Sequence, residues 1–130
     1  MAITRSTGVR NSDADAVADA VDVGTTNTEG AIVYMTSGDV EVATMRMSNP
    51  AFGAAASGIA TANAITNDSN ATGGVVALFK VVDRDDAEVF RGTVGLDGSG
   101  EDLELDPDVV SLTVAAAAIV GVSSFTYVAG

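Results

Sequence analysis

The stretch Val75–Val94, VVALFKVVDRDDAEVFRGTV, decides the fold. Val75–Asp83 is dense in β-branched and aromatic residues, which suit a pleated, half-buried strand. Arg84-Asp85-Asp86 is polar turn chemistry, and Ala87–Val94 resumes the strand pattern. The pair reads as a β-hairpin, with Phe79 and Phe90 as core anchors.

Outward from this hairpin the same pattern repeats in both directions. Ala31–Thr36 (AIVYMT) is a short strand closed by the turn Ser37-Gly38-Asp39. Val40–Ser48 alternates, with Glu41, Ala43, Met45 and Met47 on one face and Val40, Val42, Thr44 and Arg46 on the other. Asn49-Pro50 breaks it. Gly58–Ile65 is a weaker strand, Leu103 and Leu105 alternate with acids, and Val110–Ala116 and Ile119–Val128 complete the set. Eight short strands separated by turn signals predict a mostly β chain: one β-sandwich, jelly-roll-like.

One segment departs from this pattern. In Ser12–Asp22 (SDADAVADAVD), Ala14, Val17, Ala18 and Val21 recur at helical spacing. Ser12 is a good N-cap, and Asp13 and Asp15 supply first-turn acids that complement the helix dipole. Upstream, residues 1–11 (MAITRSTGVRN) carry Arg5 and Arg10 and no acid, a local reversal of sign. The expected organisation is an extended N-terminal arm over 1–11 and a single β-sandwich domain over 12–130 that includes a helix over 12–22. With 130 residues there is room for one core and no linker to divide it.

Only six aromatics are present, and much of the apolar content is alanine, so the core is thin and a homo-oligomer is expected. Net charge is −12, which opposes nucleic-acid phosphates, so no nucleic-acid partner is expected. No run approaches the roughly 20 apolar residues of a membrane span, and the N-terminus lacks a signal peptide's apolar run, so no membrane partner is expected either. Thirteen aspartates against a single lysine, Lys80, fit a protein kept soluble in concentrated salt, where screening relieves self-repulsion. A GC-rich genome yields a similar bias.

With no histidine and no cysteine, the common nucleophile–base arrangements cannot be built, and no enzymatic role or cofactor is expected. Carboxylates favour hard cations. Asp83, Asp85, Asp86 and Glu88 form a weak metal candidate whose simpler reading is a solvated turn. The Asp97–Asp108 run begins like a calcium loop, but Asp102 occupies the position that needs glycine and Asp108 the position that needs glutamate. Arg46, Arg84 and Arg91 have acidic neighbours and read as structural ion-pair partners.

Several segments together resemble a known family. The run AITRSTGVRN (Ala2–Asn11) resembles the opening of a family of small structural proteins encoded by tailed viruses. The acidic, alanine-rich helix just after this arm is similar to that family's layout, as are the segments NPAFGAAASGIATANAIT (Asn49–Thr66), FRGTVG (Phe90–Gly95), DLELD (Asp102–Asp106) and SSFTYV (Ser123–Val128). The resemblance implies a virion component assembled in the host cytoplasm, a capsid decoration or cement protein whose partners are the major capsid protein or other virion proteins. Thr4, Arg5, Arg10 and Asn11 are the expected partner-binding residues. Scarce lysine and abundant aspartate depart from bacteriophage relatives and fit a virus of a halophilic archaeon. The alternatives are a turret, neck or tail accessory subunit and, from another class, a soluble carbohydrate- or cation-binding β-sandwich module.

Overall fold

A computed structural model describes residues 3–129. The chain is mostly β with one N-terminal helix, α1 (Thr7–Val21), followed by β1 (Ala31–Met35), β2 (Glu41–Arg46), β3 (Ile59–Thr61), β4 (Gly74–Val75), β5 (Leu78–Val82), β6 (Glu88–Gly95), β7 (Leu103–Glu104), β8 (Thr113–Val114) and β9 (Thr126–Val128). Five strands form the main sheet in the order β2-β1-β5-β6-β7, antiparallel except for the parallel β6–β7 pair. Two two-stranded ribbons, β3–β9 and β4–β8, complete the strand pairing.

The central hairpin forms as its sequence predicts. Phe79 lies opposite Gly92, and Val81 opposite Phe90, so these positions share the inner face of the sheet. The turn residue Asp86 takes a φ of +63°, a left-handed geometry that aspartate tolerates better than most residues. Glycine at 92 is required by packing: a Cβ there would lie 2.6 Å from the Phe79 ring.

Register then divides the core. Ile32, Tyr34, Ala43, Met45, Phe79 and Val81 face inward and meet Ala14, Ala18 and Val21 of α1 in one cluster. A bulge where Tyr34 gives way to Met35 explains why Val42, expected on the opposite face from Met45, is also fully buried. The aromatic rings bind the layers together. Phe125, just ahead of β9, packs against Phe79 at 5.8 Å, Phe90 at 6.2 Å and Phe52 at 6.2 Å, and Phe90 meets Tyr127 at 5.2 Å. The ribbon β3–β9 and the helix thus cover the inner face of the main sheet.

Three expectations are corrected. The helix starts five residues earlier than Ser12, at Thr7, because Ser6 is the N-cap: its backbone is extended and its Oγ accepts from the Val9 N–H at 3.2 Å. Consequently residues 7–11 are helical, and the extended arm expected over 1–11 is reduced, within the described residues, to Ile3–Ser6. Met1 and Ala2 lie outside the described residues. Second, the strand expected from Val75 is split. Gly74–Val75 pairs with β8, and the main-sheet strand begins only at Leu78. Third, the strands expected over 110–116 and 119–128 shrink to Thr113–Val114 and Thr126–Val128. The alanines between them offer little side chain to pack, and Ala117 turns the backbone with a φ of +67°.

Candidate functional site

The best-defined candidate contact region lies at the N-terminal end of α1. Asn11 Oδ1 accepts from the Gly58 N–H at 2.7 Å, and the Ala129 N–H donates to the Gly58 carbonyl at 2.8 Å. Next to this junction Ile59 pairs with Val128, and Thr61 with Thr126, across the β3–β9 ribbon. The helix start, the small-residue segment around Gly58 and the C-terminal strand therefore meet at one place. They are separated by tens of residues in the chain. Gly58 adopts a φ of +76°, and a Cβ there would sit 3.1 Å from the Arg10 Cβ, so this crossing depends on glycine.

The four residues expected to bind a partner divide here. Thr4 is exposed ahead of the helix. Arg5 forms an ion pair with Asp13 across the first turns. Arg10 lies inside the helix, where its Nη2 donates to Thr7 Oγ1 at 3.3 Å, and Asn11 is committed to Gly58. Asn11 thus ties the helix start to its own domain, Arg10 is bonded within the helix, and the segment Ile3–Ser6 precedes the helix. Ile3 is 86% exposed, and the apolar Val9, Ile59 and Val128 are exposed on the same three elements. Sequence reading missed these apolar positions, because an isolated valine or isoleucine carries no signal until the fold leaves it uncovered.

The carboxylates of the weak metal candidate serve separate structural bonds. Asp83 Oδ1 accepts from the Asp85 and Ala87 N–H groups, closing the β5–β6 turn. Asp85 Oδ1 accepts from the Thr25 N–H at 2.8 Å and the Thr26 N–H at 2.9 Å, which holds its carboxyl below the usual carboxylate range. Asp86 reaches Arg46 at 3.4 Å, and Glu88 pairs with Arg91 at 2.7 Å. The Arg91 pair lowers the Glu88 pKa and raises that of Arg91. Among the described residues no three acids converge as a metal-holding group. Asp102, within the run that begins like a calcium loop, instead accepts from the Thr93 N–H at 3.0 Å.

The outer face of the main sheet gathers cations. Register aligns Thr44, Val33, Lys80 and Arg91 in one row across four strands. Val33 and Val82 lie beneath this layer, nearly covered by their longer neighbours. Arg46 and Arg91 find acids, as their surroundings predict, whereas Arg84 is spent on the backbone, its Nε donating to the Asn27 carbonyl at 2.9 Å. A shallow hollow of about 210 Å³ lies between Lys80, Arg46 and Glu41. A second concavity, an apolar groove of about 330 Å³, lies beside Tyr34 and is bordered by residues 105–121.

No protein-family model, curated protein or solved structure matches this chain.

Proposed function

We propose that this chain is a non-enzymatic virion structural protein, a decoration or cement protein that binds the icosahedral head lattice of a tailed virus. The observation that supports this reading most is the meeting of three segments at one end of the fold. Ala2–Asn11, Asn49–Thr66 and Ser123–Val128 are the stretches through which the sequence resembles that family. Asn11, Gly58 and the β3–β9 pairing bring them together. An end built from the family-like segments, with exposed Ile3, Val9, Ile59 and Val128, is suited to docking on a protein lattice.

In this reading the major capsid protein is the partner. Ile3 and its neighbours supply apolar contact, and the acidic surface elsewhere faces solvent, where like charge keeps particles apart. The arrangement of helix and ribbons over the inner face of the main sheet supports describing the domain as a jelly-roll-like sandwich with an irregular second layer. The acidic residues of the β5–β6 turn are occupied by hydrogen bonds and ion pairs, which favours a structural over a catalytic use of these carboxylates.

The test is the copy number of this chain relative to the major capsid protein in purified particles. A comparable number is expected. A small fraction moves the protein to a turret, neck or tail, and absence from particles overturns the virion reading.

A further inference from the structure

Tyr34 is only 4% exposed, yet its hydroxyl has no hydrogen-bond partner among the described residues. Buried tyrosine hydroxyls normally have one, so an unpaired one at this depth calls for a partner from outside the fold. The hydroxyl is not sealed off, because it keeps accessible surface. Tyr34 borders two adjoining hollows of about 170 and 330 Å³, which share Leu105, Val109 and Gly121 as walls. Their characters differ. The larger is apolar, lined by Val76, Leu112, Val114 and Val120. The smaller carries the Asp106 carboxylate and the Ser123 and Ser124 hydroxyls. Asp106 makes no side-chain hydrogen bond or ion pair among the described residues, and its charge bears on the Tyr34 hydroxyl. Glu104 also borders the smaller hollow, but its carboxylate accepts from the Gly100 N–H at 2.7 Å.

We infer that these joined hollows bind a primary alkylamine, its ammonium held between Asp106 and the Tyr34 hydroxyl and its chain laid in the apolar hollow. Each part of the ligand answers a part of the site. An ammonium offers three donors and no acceptor, which suits an unpaired carboxylate, a phenol oxygen and a serine hydroxyl. The alkyl chain is what apolar walls remove from water. An anionic head group is opposed by Asp106, and a neutral alcohol satisfies the phenol but leaves the carboxylate unpaired. The larger hollow falls within the roughly 300–1,000 Å³ of small-molecule sites, which join apolar walls to a few placed polar groups. This site lies apart from the N-terminal end and does not depend on the virion reading.

The test is calorimetric titration of the full-length protein with n-octylamine at neutral pH, beside n-butylamine, 1-octanol and octanoate. Octylamine should saturate a single site and bind at least about tenfold tighter than butylamine, since each buried methylene contributes about fourfold. It should also bind tighter than octanol, and octanoate should bind weakest. Tyr34→Phe keeps the ring, loses the hydroxyl and should weaken octylamine about fivefold. Asp106→Asn, at an exposed position, should weaken it at least about tenfold. Asp97→Asn removes the same charge outside both hollows and should leave the affinity unchanged. Equal weakening by Asp97→Asn and Asp106→Asn would mean that net charge alone attracts the amine, which overturns the site. Undiminished binding to Tyr34→Phe overturns it too, as does octanol binding as tightly as octylamine. In the unaltered protein, octylamine should shift the methyl NMR signals of Leu112 and Val120. Shifts confined to other methyls sink the proposal without any variant.

Discussion

The side chain of Asn11 is hydrogen-bonded to the backbone of Gly58 at 2.7 Å, joining the first turns of the helix to a glycine in the left-handed conformation that glycine adopts most readily. This bond fixes where the helix crosses the β3–β9 ribbon. Gly58 is buried, so losing the acceptor leaves its N–H unsatisfied. Asn11→Ala is expected to cost about 1–3 kcal/mol in chemical denaturation. Asn11→Asp keeps an acceptor oxygen and should remain near the parent. Equal loss in both variants would show that the oxygen is not what matters.

Phe79 is the aromatic at which the two layers meet, touching Phe90 and Phe125 and lying under Gly92. Phe79→Ala should destabilise by about 3–5 kcal/mol, through lost burial and the cavity left behind. Gly92→Ala tests the same spot from the opposite side, since its methyl has no room beside the Phe79 ring. Thermal melts showing either variant within a degree of the parent would place the core elsewhere.

The hairpin around Phe79 is legible in the sequence because its hydrophobic residues and its turn residues agree at short range. The helix body is legible for the same reason, since Ala14, Ala18 and Val21 share a face. Its start is not. Thr7, Gly8 and Val9 are poor helix formers, and the turn persists because Ser6 caps it and Asn11 is tied to Gly58. Alanine explains the blurred C-terminal strands: Ala115–Ala118 would suit a strand, a turn or a helix equally, and only the backbone bonds to Ala71 decide. The candidate contact end was half readable. Its opening segment stands out by sign of charge, but the partition of Arg5, Arg10 and Asn11 between solvent and their own domain depends on distant residues.

Asp85 links the β5–β6 turn to the loop after the helix through the Thr25 and Thr26 N–H groups. Its folded-state pKa is depressed, so the stabilisation is present above the unfolded value near 3.9 and is lost as pH falls through the lower folded value. Amide exchange at Thr25 and Thr26, corrected for intrinsic rates, should lose protection in Asp85→Asn at neutral pH. Unchanged protection would mean the loop is held without this carboxylate.

Tyr34 stands apart from the aromatic cluster, buried beside Asp106. Burial first, and the Asp106 charge second, push its hydroxyl up to about 12 from an ordinary value of 10.0. The folded state resists ionisation, so stability is unaffected below pH 10 and falls between pH 10 and 12 as only the unfolded chain loses this proton. Absorbance titration at the phenolate band should show one tyrosine ionising last, and Tyr34→Phe should remove that step and flatten the alkaline loss of stability. A titration complete by pH 10.5 in folded protein contradicts this.

Deleting residues 1–5 separates docking from folding. Ser6 remains, so the helix keeps its N-cap, and the lost Arg5–Asp13 pair is an exposed one of the kind that contributes little. The truncated chain should therefore melt within a few degrees of the parent. On the proposed virion reading, binding to stripped particles should fall at least tenfold, because Ile3 and Thr4 lie exposed ahead of the helix. Ile3→Asp, which keeps the length and adds a charge, should weaken binding in the same direction. A truncated protein that loads particles at normal occupancy removes the N-terminal segment from the contact and leaves Val9, Ile59 and Val128 to be tested in its place.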